Sequence, residues 1–356
     1  MLTWLYPGLV CALFIVYAWS FYNLPILVAG VKSLRQSKQR SRRKPAEGEA
    51  LPAFSIIVPV KNEEKVVGRL LNALSESSYP SDKKEIIIVE DGSTDSSVDV
   101  CEAFAREQRL NMRIVQRPSS DGKPSALNAG ITCAKGEIVG IFDADNVPAS
   151  DALLNVCKYF EDPQVAAVQG RTLSINSEEN MLTRIISREE DVWYETYLRG
   201  KDALNLFVHL KGSCQFIRRD VLEQVSGFDE NALSEDMELS AKTTEKGYKI
   251  KYAPDVRSWQ ESPCGLKQVF RQRARWYRGT MEVALKYGRL MAKPSRKSFD
   301  AEVTLFGPLV LIASLLAYVG TSYVTFMPFP VNMMKGIAFP LLLSVFKNSR
   351  PSFSGI

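Results

Sequence analysis

The sequence predicts an α/β fold in which helices cover both faces of a parallel sheet. Short β-branched runs alternate with helical patterns from residue 54 to residue 143, as in FSIIVPV, EKVVGRLLNALSES and EIIIVED. The run from Ile86 to Val89 is apolar on consecutive residues, as expected for a strand that is buried on both faces. Because such sheets bind ligands beyond the carboxyl ends of their strands, we expect the functional site at that edge.

The elements beyond residue 150 are less regular. The sequence predicts a helix near 150–161, a strand at VAAVQG, a charged helix near 178–199 and a short strand around 215–217. A final helix is predicted from about Leu266 to Met291, with one apolar stripe formed by Val269, Phe270, Tyr277, Met281, Ala284 and Leu285. This pattern fits a helix lying on a membrane surface and equally a cationic helix packed on the domain.

Two stretches without charged side chains, residues 1–31 and 303–334, flank this central region, and each is long enough to span a bilayer. The first lacks the basic start and the clean cleavage site of a secretory signal, so we interpret it as an uncleaved anchor. A shorter apolar piece at 331–346 is broken by prolines and a lysine. The sequence therefore predicts transmembrane helices at both ends of the chain.

A basic run without acidic residues extends from Lys32 to Lys44. The positive-inside rule places such a run in the cytoplasm, so we predict a multi-pass plasma-membrane protein with a cytoplasmic central domain. The run lacks interleaved aromatic residues, and we expect it to contact membrane lipids and not nucleic acid. The formal net charge of +5 reflects these flanks, because the acidic residues all lie between residues 45 and 302.

Cysteine and histidine usage excludes several chemistries. The six cysteines form no CxxC pair, which argues against a zinc site or a disulfide framework. The single histidine, His209, accompanies no GxSxG serine, so we interpret it as structural. The first predicted strand continues as VPVKNEE without a GxGxxG motif, which argues against a dinucleotide oxidoreductase.

Carboxylates follow two of the predicted strands. The strand EIVGIFD ends at Asp143, and Asp145 lies two residues further on, so both side chains point to one side. This pair suits Mg²⁺ or Mn²⁺, which could neutralise a nucleotide diphosphate, although a lone DxD also arises by chance or as a cap. The strand EIIIVED ends at Asp91, whose carboxylate could bind a base or ribose or could cap a turn.

Two further charged residues are candidates. Lys123 precedes a predicted helix, and its ammonium could reach a phosphate, although an isolated lysine is more often solvated surface. Asp236 lies in SEDMELSAK, where Ser234 is a plausible N-cap and the acids suit the first turn of a helix. Helix capping alone would explain Asp236.

Four motifs occur together in a fixed order: Asp91, then Asp143-Ala144-Asp145, then Ser234-Glu235-Asp236, then QRARW at 272–276. This combination resembles the D, DxD, (T/S)ED and Q(Q/R)xRW motifs of the family 2 glycosyltransferases of GT-A fold. The similarity is greatest to the branch of cellulose, chitin, hyaluronan and poly-N-acetylglucosamine synthases, and it covers roughly residues 54–280. It implies a Rossmann-like mixed sheet flanked by helices.

The resemblance also implies roles for the motif residues in binding a sugar donor. Asp91 would bind the nucleoside, and Asp143 and Asp145 would bind the diphosphate with its Mg²⁺ or Mn²⁺. The opening motif of the family is mirrored in VPVKNE, which makes Glu63 a nucleotide contact. Lys123 falls where the family has a phosphate or uridine ligand.

The remaining motifs concern the acceptor. By the same resemblance Asp236 would be the general base, and Gln272, Arg275 and Trp276 would hold the acceptor end and the diphosphate. The implied reaction is an inverting in-line transfer from a nucleotide sugar, expected to be UDP-linked, to a growing β-linked glycan. The alternative is a single-sugar transfer to a lipid, since a complete polysaccharide channel is not expected at the carboxyl end. Intact carboxylates at every motif argue against a catalytically silent sensor or scaffold.

On this reading the chain has six segments. They are an anchor at 1–31, a basic cytoplasmic linker at 32–50, a GT-A catalytic domain at 51–264, an amphipathic interface-helix region at 265–302, transmembrane segments at 303–346 and a tail at 347–356.

Overall fold

The computed structural model describes residues 5–37, 51–108, 111–288 and 294–326. The chain divides into a larger unit, Tyr22–Pro308, and a smaller one whose described residues are 5–21 and 309–326. The predicted apolar piece at 331–346, the predicted tail and most of the basic linker lie outside the described residues.

The strands of the larger unit are β1 (Phe54–Val60), β2 (Lys84–Glu90), β3 (Met112–Gln116), β4 (Ile138–Ile141), β5 (Val147–Pro148), β6 (Val165–Ser174), β7 (Gln215–Arg218) and β8 (Lys249–Gln260). They form one sheet in the order β3-β2-β1-β4-β7-β6-β8-β5. The first four are parallel, as predicted, whereas β7 is antiparallel to both β4 and β6. The sheet is therefore mixed, and a short apolar run cannot reveal this because chain connections set strand direction.

The helices are α1 (Leu5–Ser37), α2 (Val67–Ser75), α3 (Ser97–Gln108), α4 (Lys123–Cys133), α5 (Ala152–Cys157), α6 (Met181–Val192), α7 (Arg199–Ala203), α8 (Arg219–Gln224), α9 (Glu235–Glu245), α10 (Leu266–Tyr287), α11 (Arg296–Leu305) and α12 (Gly307–Phe326). A π-helical turn, Trp193–Leu198, joins α6 to α7. The charged helix predicted near 178–199 is thus three consecutive helical pieces.

Both faces of the sheet are buried, as the continuous apolar runs predict. Alternate residues of β1 and β2 belong to two separate core clusters, with Ile56 and Ile86 in one and Ile57 and Ile87 in the other. All four side chains are at most 2% exposed. Burying side chains of this size stabilises the fold by about 1.5–3 kcal/mol each, which fixes the strand ends that carry the polar residues.

The helix α1 extends past the predicted anchor and includes Lys32, so the basic linker predicted from this residue begins inside a helix. The second half of α1 packs closely on the π-helical turn and α7. A Cβ atom on Gly30 would lie 1.8 Å from the carbonyl oxygen of Thr196, and one on Gly200 would lie 2.0 Å from that of Ile26. Some of the uncharged residues in 1–31, among them Ile26 and Gly30, therefore pack within the larger unit.

The membrane-span prediction rests on two described regions. The segment Pro7–Ser37 is long and apolar enough to cross a bilayer, whereas α11 and α12 qualify only when taken together as one interrupted span. Within the smaller unit, Ala12 packs with Ala313 and Ala317. Small residues of this kind allow helix backbones to approach closely.

A buried ion pair joins α7 to α11. The Lys201 Nζ atom lies 2.9 Å from Asp300 Oδ2, and both side chains are fully buried. Asp300 also accepts hydrogen bonds of 2.8 Å from the Tyr22 hydroxyl and from the backbone N–H of Phe207. The pair thereby connects α1, α7, α11 and the segment that leads to His209.

We expect Asp300→Ala to lower the free energy of unfolding by about 3–5 kcal/mol, because Lys201 would remain buried without its partner. Thermal and denaturant unfolding of the purified protein measure this change. The control is Glu178→Ala, which breaks an exposed ion pair with Arg184 (3.0 Å) and should cost no more than about 1 kcal/mol. Equal losses of unfolding free energy in the two variants would show that burial does not increase the contribution of the Lys201–Asp300 pair to stability.

Candidate active site

A cavity of about 390 Å³ lies beyond the carboxyl ends of β1, β2 and β4. We call it the strand-end cavity. Its lining includes all five residues predicted to bind the donor, namely Glu63, Asp91, Lys123, Asp143 and Asp145. They meet because parallel strands end at one edge of the sheet, so residues that follow different strands converge there.

Asp91 forms one wall of the strand-end cavity. It lies one residue past β2 and is buried, and Arg117 Nη1 donates to its Oδ1 atom at 2.5 Å. The hydroxyl of Ser120 donates to the other oxygen at 2.7 Å, and Lys61 Nζ donates to Ser120 Oγ at 2.8 Å. Asp91 is thus held rigidly by a hydrogen-bond network at the edge of the cavity.

Three acidic side chains, Glu63, Asp143 and Asp145, face one another in this cavity. Burial and the charge of Asp143 raise the pKa of Asp145, and burial with the charges of Asp145 and Asp143 raises the pKa of Glu63. The charge of Asp143 therefore disfavours ionisation of Asp145 and Glu63, and the charge of Asp145 also disfavours ionisation of Glu63. A bound cation would relieve this repulsion.

The acidic residues could coordinate a divalent cation whose remaining ligands come from a bound substrate. No group of three or more His, Cys, Asp or Glu side chains with metal-site geometry occurs among the described residues. Mg²⁺ and similar ions, however, are commonly held by one or two carboxylates together with phosphate oxygens of a substrate. Asp143 and Asp145 supply such a pair.

Lys123, the first residue of α4, reaches from the strand-end cavity to a second one. Its Nζ atom donates to Asp143 Oδ1 at 2.6 Å and to the Gly212 carbonyl oxygen at 3.1 Å, and lies 3.6 Å from Glu235 Oε1. Burial alone would lower the pKa of Lys123, but the carboxylates of Asp143 and Glu235 raise it above its ordinary value. Lys123 is therefore a cation and is not a solvated surface lysine.

A second cavity of about 340 Å³ lies between α6, α9 and α10, and we call it the helix cavity. Its charged, aromatic and histidine lining residues are Glu189, Glu190, Trp193, His209, Lys211, Asp236, Arg273, Trp276 and Tyr277. Gly212 lies between the two cavities with φ +80°, and a Cβ atom there would lie 3.3 Å from Lys123 Nζ and 3.4 Å from Asp236 Oδ2. Glycine thus permits both the backbone turn and the close approach of these two side chains.

Asp236 faces the helix cavity from the first turn of α9. Burial and the neighbouring charge of Glu235 raise the pKa of Asp236 to about 6, against the opposing effects of Ser234 and Lys123. Its Oδ1 atom accepts hydrogen bonds from Ser234 Oγ at 2.8 Å and from the Met237 N–H at 2.7 Å. Asp236 is therefore a carboxylate near neutral pH, with a basicity suited to accepting a proton.

Ser234 occupies the predicted N-cap position of α9, but its side chain does not cap the helix. Its hydroxyl donates to Asp236 Oδ1 instead of accepting a hydrogen bond from a backbone N–H. The capping interpretation of this motif is thus wrong for Ser234, because the carboxylate of Asp236 is the stronger acceptor nearby.

Trp276 forms an aromatic wall of the helix cavity. The guanidinium of Arg273 lies 5.8 Å from the centre of its ring, and Arg273 also makes a bidentate ion pair with Glu189 at 2.8 and 2.6 Å. The ammonium of Lys211 lies 5.9 Å from the Trp276 ring and 4.6 Å from the Trp193 ring. Cations held over ring faces in this way fix the orientation of the indoles.

The other two predicted acceptor residues lie elsewhere on α10. Gln272 is half-buried and Arg275 is exposed, and neither is among the residues that line the two cavities. Consecutive helical residues project about 100° apart, so Arg275 cannot share the face of Trp276, whereas Arg273 is three residues earlier and can. A role for Gln272 and Arg275 stays a prediction.

Several residues at the helix cavity were given no role from the sequence, among them Glu190, Trp193, Lys211 and Arg273, and neither was Arg117, which contacts Asp91. Arg117 lies 26 positions from Asp91 and Lys211 lies 21 positions from Glu190, so no local spacing reveals these two pairs. The sequence could have indicated Arg273, because this residue precedes Trp276 by three positions on a predicted helix and therefore lies on the same face.

The fold and the paired cavities define an α/β enzyme with an acidic site at its strand ends. A sequence model described as "Glycosyltransferase like family 2" matches residues 52–279. A probable glycosyltransferase, YdaM of Bacillus subtilis, is 30% identical over 298 residues, which are 83% of this chain and 71% of the relative. The chain therefore belongs to the family 2 glycosyltransferases, and it is an enzyme that uses a nucleotide sugar.

Other relatives differ in what their names say they make. A β-monoglucosyldiacylglycerol synthase of a Nostoc species is 31% identical over 74% of this chain, and the chain spans only 57% of that relative. A poly-β-1,6-N-acetyl-D-glucosamine synthase of Staphylococcus epidermidis is 26% identical over 85% of this chain and 71% of the relative. The family therefore holds both glycolipid and polysaccharide synthases.

A solved structure supports the fold. The mannosyltransferase PcManGT from Pyrobaculum calidifontis, solved with GDP-Man and Mn²⁺, superposes with a TM-score of 0.66 at 22% identity, covering 94% of this chain and 92% of that one. This likeness confirms a mixed α/β sheet with flanking helices of the GT-A type.

Proposed function

We propose that the protein transfers a sugar from a nucleotide diphosphate donor in the strand-end cavity to an acceptor hydroxyl in the helix cavity, with inversion at the anomeric carbon. The position of Lys123 carries this proposal. Its ammonium contacts Asp143 on the donor side and lies beside Gly212, next to Asp236 on the acceptor side. The diphosphate of the donor and the base Asp236 would thus lie on either side of Lys123.

The roles of the chain's own residues follow from their surroundings. Asp236 accepts the proton of the acceptor hydroxyl as that oxygen attacks the anomeric carbon, and the bond to the diphosphate breaks in the same step. Lys123 is held charged beside the site and stabilises negative charge on the departing diphosphate. Asp91 and Glu63 orient the nucleotide from the edge of the cavity. The single displacement requires no covalent sugar intermediate.

Asp143 and Asp145 would hold Mg²⁺ or Mn²⁺ in this scheme. The ion would neutralise charge on the diphosphate and make it a better leaving group. The raised pKa of Asp145 beside Asp143 supports the assignment, because a bound cation would favour the ionised form of Asp145.

The acceptor that the helix cavity supports best is the end of a growing β-linked glycan. The indoles of Trp193 and Trp276 offer flat apolar faces beside Asp236, and the apolar face of a sugar ring fits such surfaces. A glycolipid product is the second candidate, favoured by the 31% identity to the β-monoglucosyldiacylglycerol synthase. The donor nucleotide is proposed to be UDP.

One experiment separates these acceptors. The protein in native membranes is incubated with a panel of radiolabelled UDP- and GDP-sugars, and the products are extracted and sized. Label in a water-soluble or insoluble polymer supports the glycan acceptor, whereas label in one chloroform-soluble species supports the lipid. No transfer from any nucleotide sugar would overturn the proposed function.

Trp276→Ala is expected to abolish elongation, because an acceptor end that must be bound again after each addition loses its aromatic wall. Donor hydrolysis and membrane association should persist. The matched control is Phe270→Ala on the same helix, whose side chain is 72% exposed and should affect membrane association more than product length. Unchanged product length in Trp276→Ala with weakened membrane association would favour a membrane-anchor role for Trp276 and the single-sugar alternative.

We propose that α1 anchors the protein in the plasma membrane, that α12 belongs to a carboxyl-terminal span, and that the catalytic domain is cytoplasmic. The basic run that starts at Lys32 supports this orientation. Protease added to sealed right-side-out vesicles is expected to leave the domain intact, and protease added to inverted vesicles should degrade it. The reverse pattern would reject the proposed topology.

A further inference from the structure

Arg117 connects three elements at the strand-end cavity, and the proposed mechanism gives it no role. Its Nη1 atom donates to Asp91 Oδ1 at 2.5 Å, directly after β2. Its Nη2 atom donates to Asp121 Oδ2 at 2.9 Å, in the loop between β3 and α4, and to Ser125 Oγ on α4 at 2.8 Å. One guanidinium thus joins the end of β2 to this loop and to the first turn of α4.

The ion pair with Asp91 is the more buried of the two that Arg117 makes. The exposed fractions of the side chains are 13% for Arg117 and 5% for Asp91, whereas the side chain of Asp121 is 60% exposed. Loss of one partner from a buried pair leaves the other charge uncompensated, whereas an exposed pair contributes little. Asp91 therefore depends on Arg117 far more than Asp121 does.

Asp91 can contact a ligand only from a narrow range of orientations. It lines the strand-end cavity, but only a small part of its side chain is exposed there. Both of its oxygens already accept a hydrogen bond, Oδ1 from Arg117 and Oδ2 from Ser120. A carboxylate offers about four lone-pair positions, so the positions left for a ligand face the cavity only while the side chain is held in place.

Arginine suits this position because its planar guanidinium presents several N–H donors in a fixed arrangement. Lysine would keep the charge, but its single nitrogen cannot reproduce the contacts with Asp91, Asp121 and Ser125 together. We propose that Arg117 is a positioning residue for the sugar donor, which fixes the Asp91 carboxylate in the orientation that binds the nucleoside. The inference rests on the proposed function, because Asp91 binds the nucleoside only if the strand-end cavity is the donor site.

A double-mutant cycle tests whether Arg117 acts through Asp91. UDP, GDP, CDP and ADP are titrated with Mg²⁺ into the whole chain in phospholipid nanodiscs by calorimetry, and the nucleotide that the wild type binds most tightly is the probe. Arg117→Met and Asp91→Ala are each expected to raise its Kd about 10-fold, and the double variant should bind no more weakly than Asp91→Ala alone. The control Arg106→Met removes an exposed arginine of α3 and should leave the Kd unchanged.

The kinetics give a readout that a general loss of structure would not reproduce. With the sugar donor of the same nucleotide, Arg117→Met should raise KM about 10-fold and keep kcat within about 3-fold, because Asp236 and the residues around the diphosphate are untouched. Arg117→Lys retains the charge and should raise the Kd by only about 3-fold. If Arg117→Met does not fold, the cycle is measured with Arg117→Lys.

The outcomes separate this inference from the proposed function. If the wild type transfers sugar but binds none of these nucleotides, if Arg117→Met keeps the wild-type Kd, or if the losses of affinity in the cycle are additive, the inference fails while the function stands. If the wild type transfers no sugar from any donor but binds a nucleotide and the cycle is non-additive, the inference stands and the function fails. Absence of both transfer and nucleotide binding overturns both.

Discussion

Asp236→Asn is expected to reduce turnover by about 10² to 10⁴-fold while leaving the affinity for the donor nearly unchanged. The amide keeps the size of the carboxylate and can still accept hydrogen bonds from Ser234 and Met237. It cannot accept the proton of the acceptor hydroxyl. Steady-state kinetics with separate measurement of nucleotide binding will resolve the two effects.

The pH profile gives an independent test of Asp236. Its pKa is raised to about 6, and only the deprotonated form can act as a base. Wild-type turnover should therefore decline as the pH falls through about 6, and the residual activity of Asp236→Asn should lack that decline. An identical acidic limb in both proteins would assign the titration to another group.

The matched control is Asp220→Asn. Asp220 is the second residue of α8, as Asp236 is of α9, and its Oδ1 atom likewise accepts a hydrogen bond from the next backbone N–H, at 2.8 Å. The side chain of Asp220 is exposed. If a helix cap were the whole role of Asp236, the two variants would have similar activity, and wild-type turnover in Asp236→Asn would reject it as the base.

Removal of divalent cations is expected to reduce transfer by at least about 10²-fold, with recovery on adding Mg²⁺ or Mn²⁺. The acidic side chains of Asp143 and Asp145 face each other in the strand-end cavity, and a nucleotide diphosphate brings further negative charge to them. Without a cation this charge is opposed by Lys123 and Lys61, which line the same cavity. Activity after dialysis against EDTA measures the effect.

Asp145→Asn tests the same assignment at one residue. We expect a loss of similar size and a weaker apparent affinity for the metal, because one of the two proposed ligand carboxylates is removed. Asp99→Asn, at an exposed acid on α3, should behave as the wild type. Full activity in chelator would contradict a metal at Asp143 and Asp145, whatever the effect of the substitutions.

The sequence by itself determined the parallel half of the sheet and the contents of the strand-end cavity. Buried strands are long apolar runs, and the residues that follow them project from one edge of a parallel sheet, so Asp91, Asp143 and Asp145 converge without any knowledge of the rest of the chain. The resemblance to the family motifs added Glu63 and Lys123 to the residues predicted at this site. All five residues line one cavity.

The tertiary structure alone decided which residues surround Asp236 and Trp276 in the helix cavity. The walls of the helix cavity come from α6, the π-helical turn, α9 and α10, and helices distant in sequence leave no local pattern of their contacts. The packing places Arg273 at the cavity and leaves Arg275 exposed, and within the described part of the chain it leaves His209 Nδ1 and Glu190 Oε2 without hydrogen-bond partners. It also fixes the antiparallel direction of β7, because strand direction depends on connections and not on the residues of the strand.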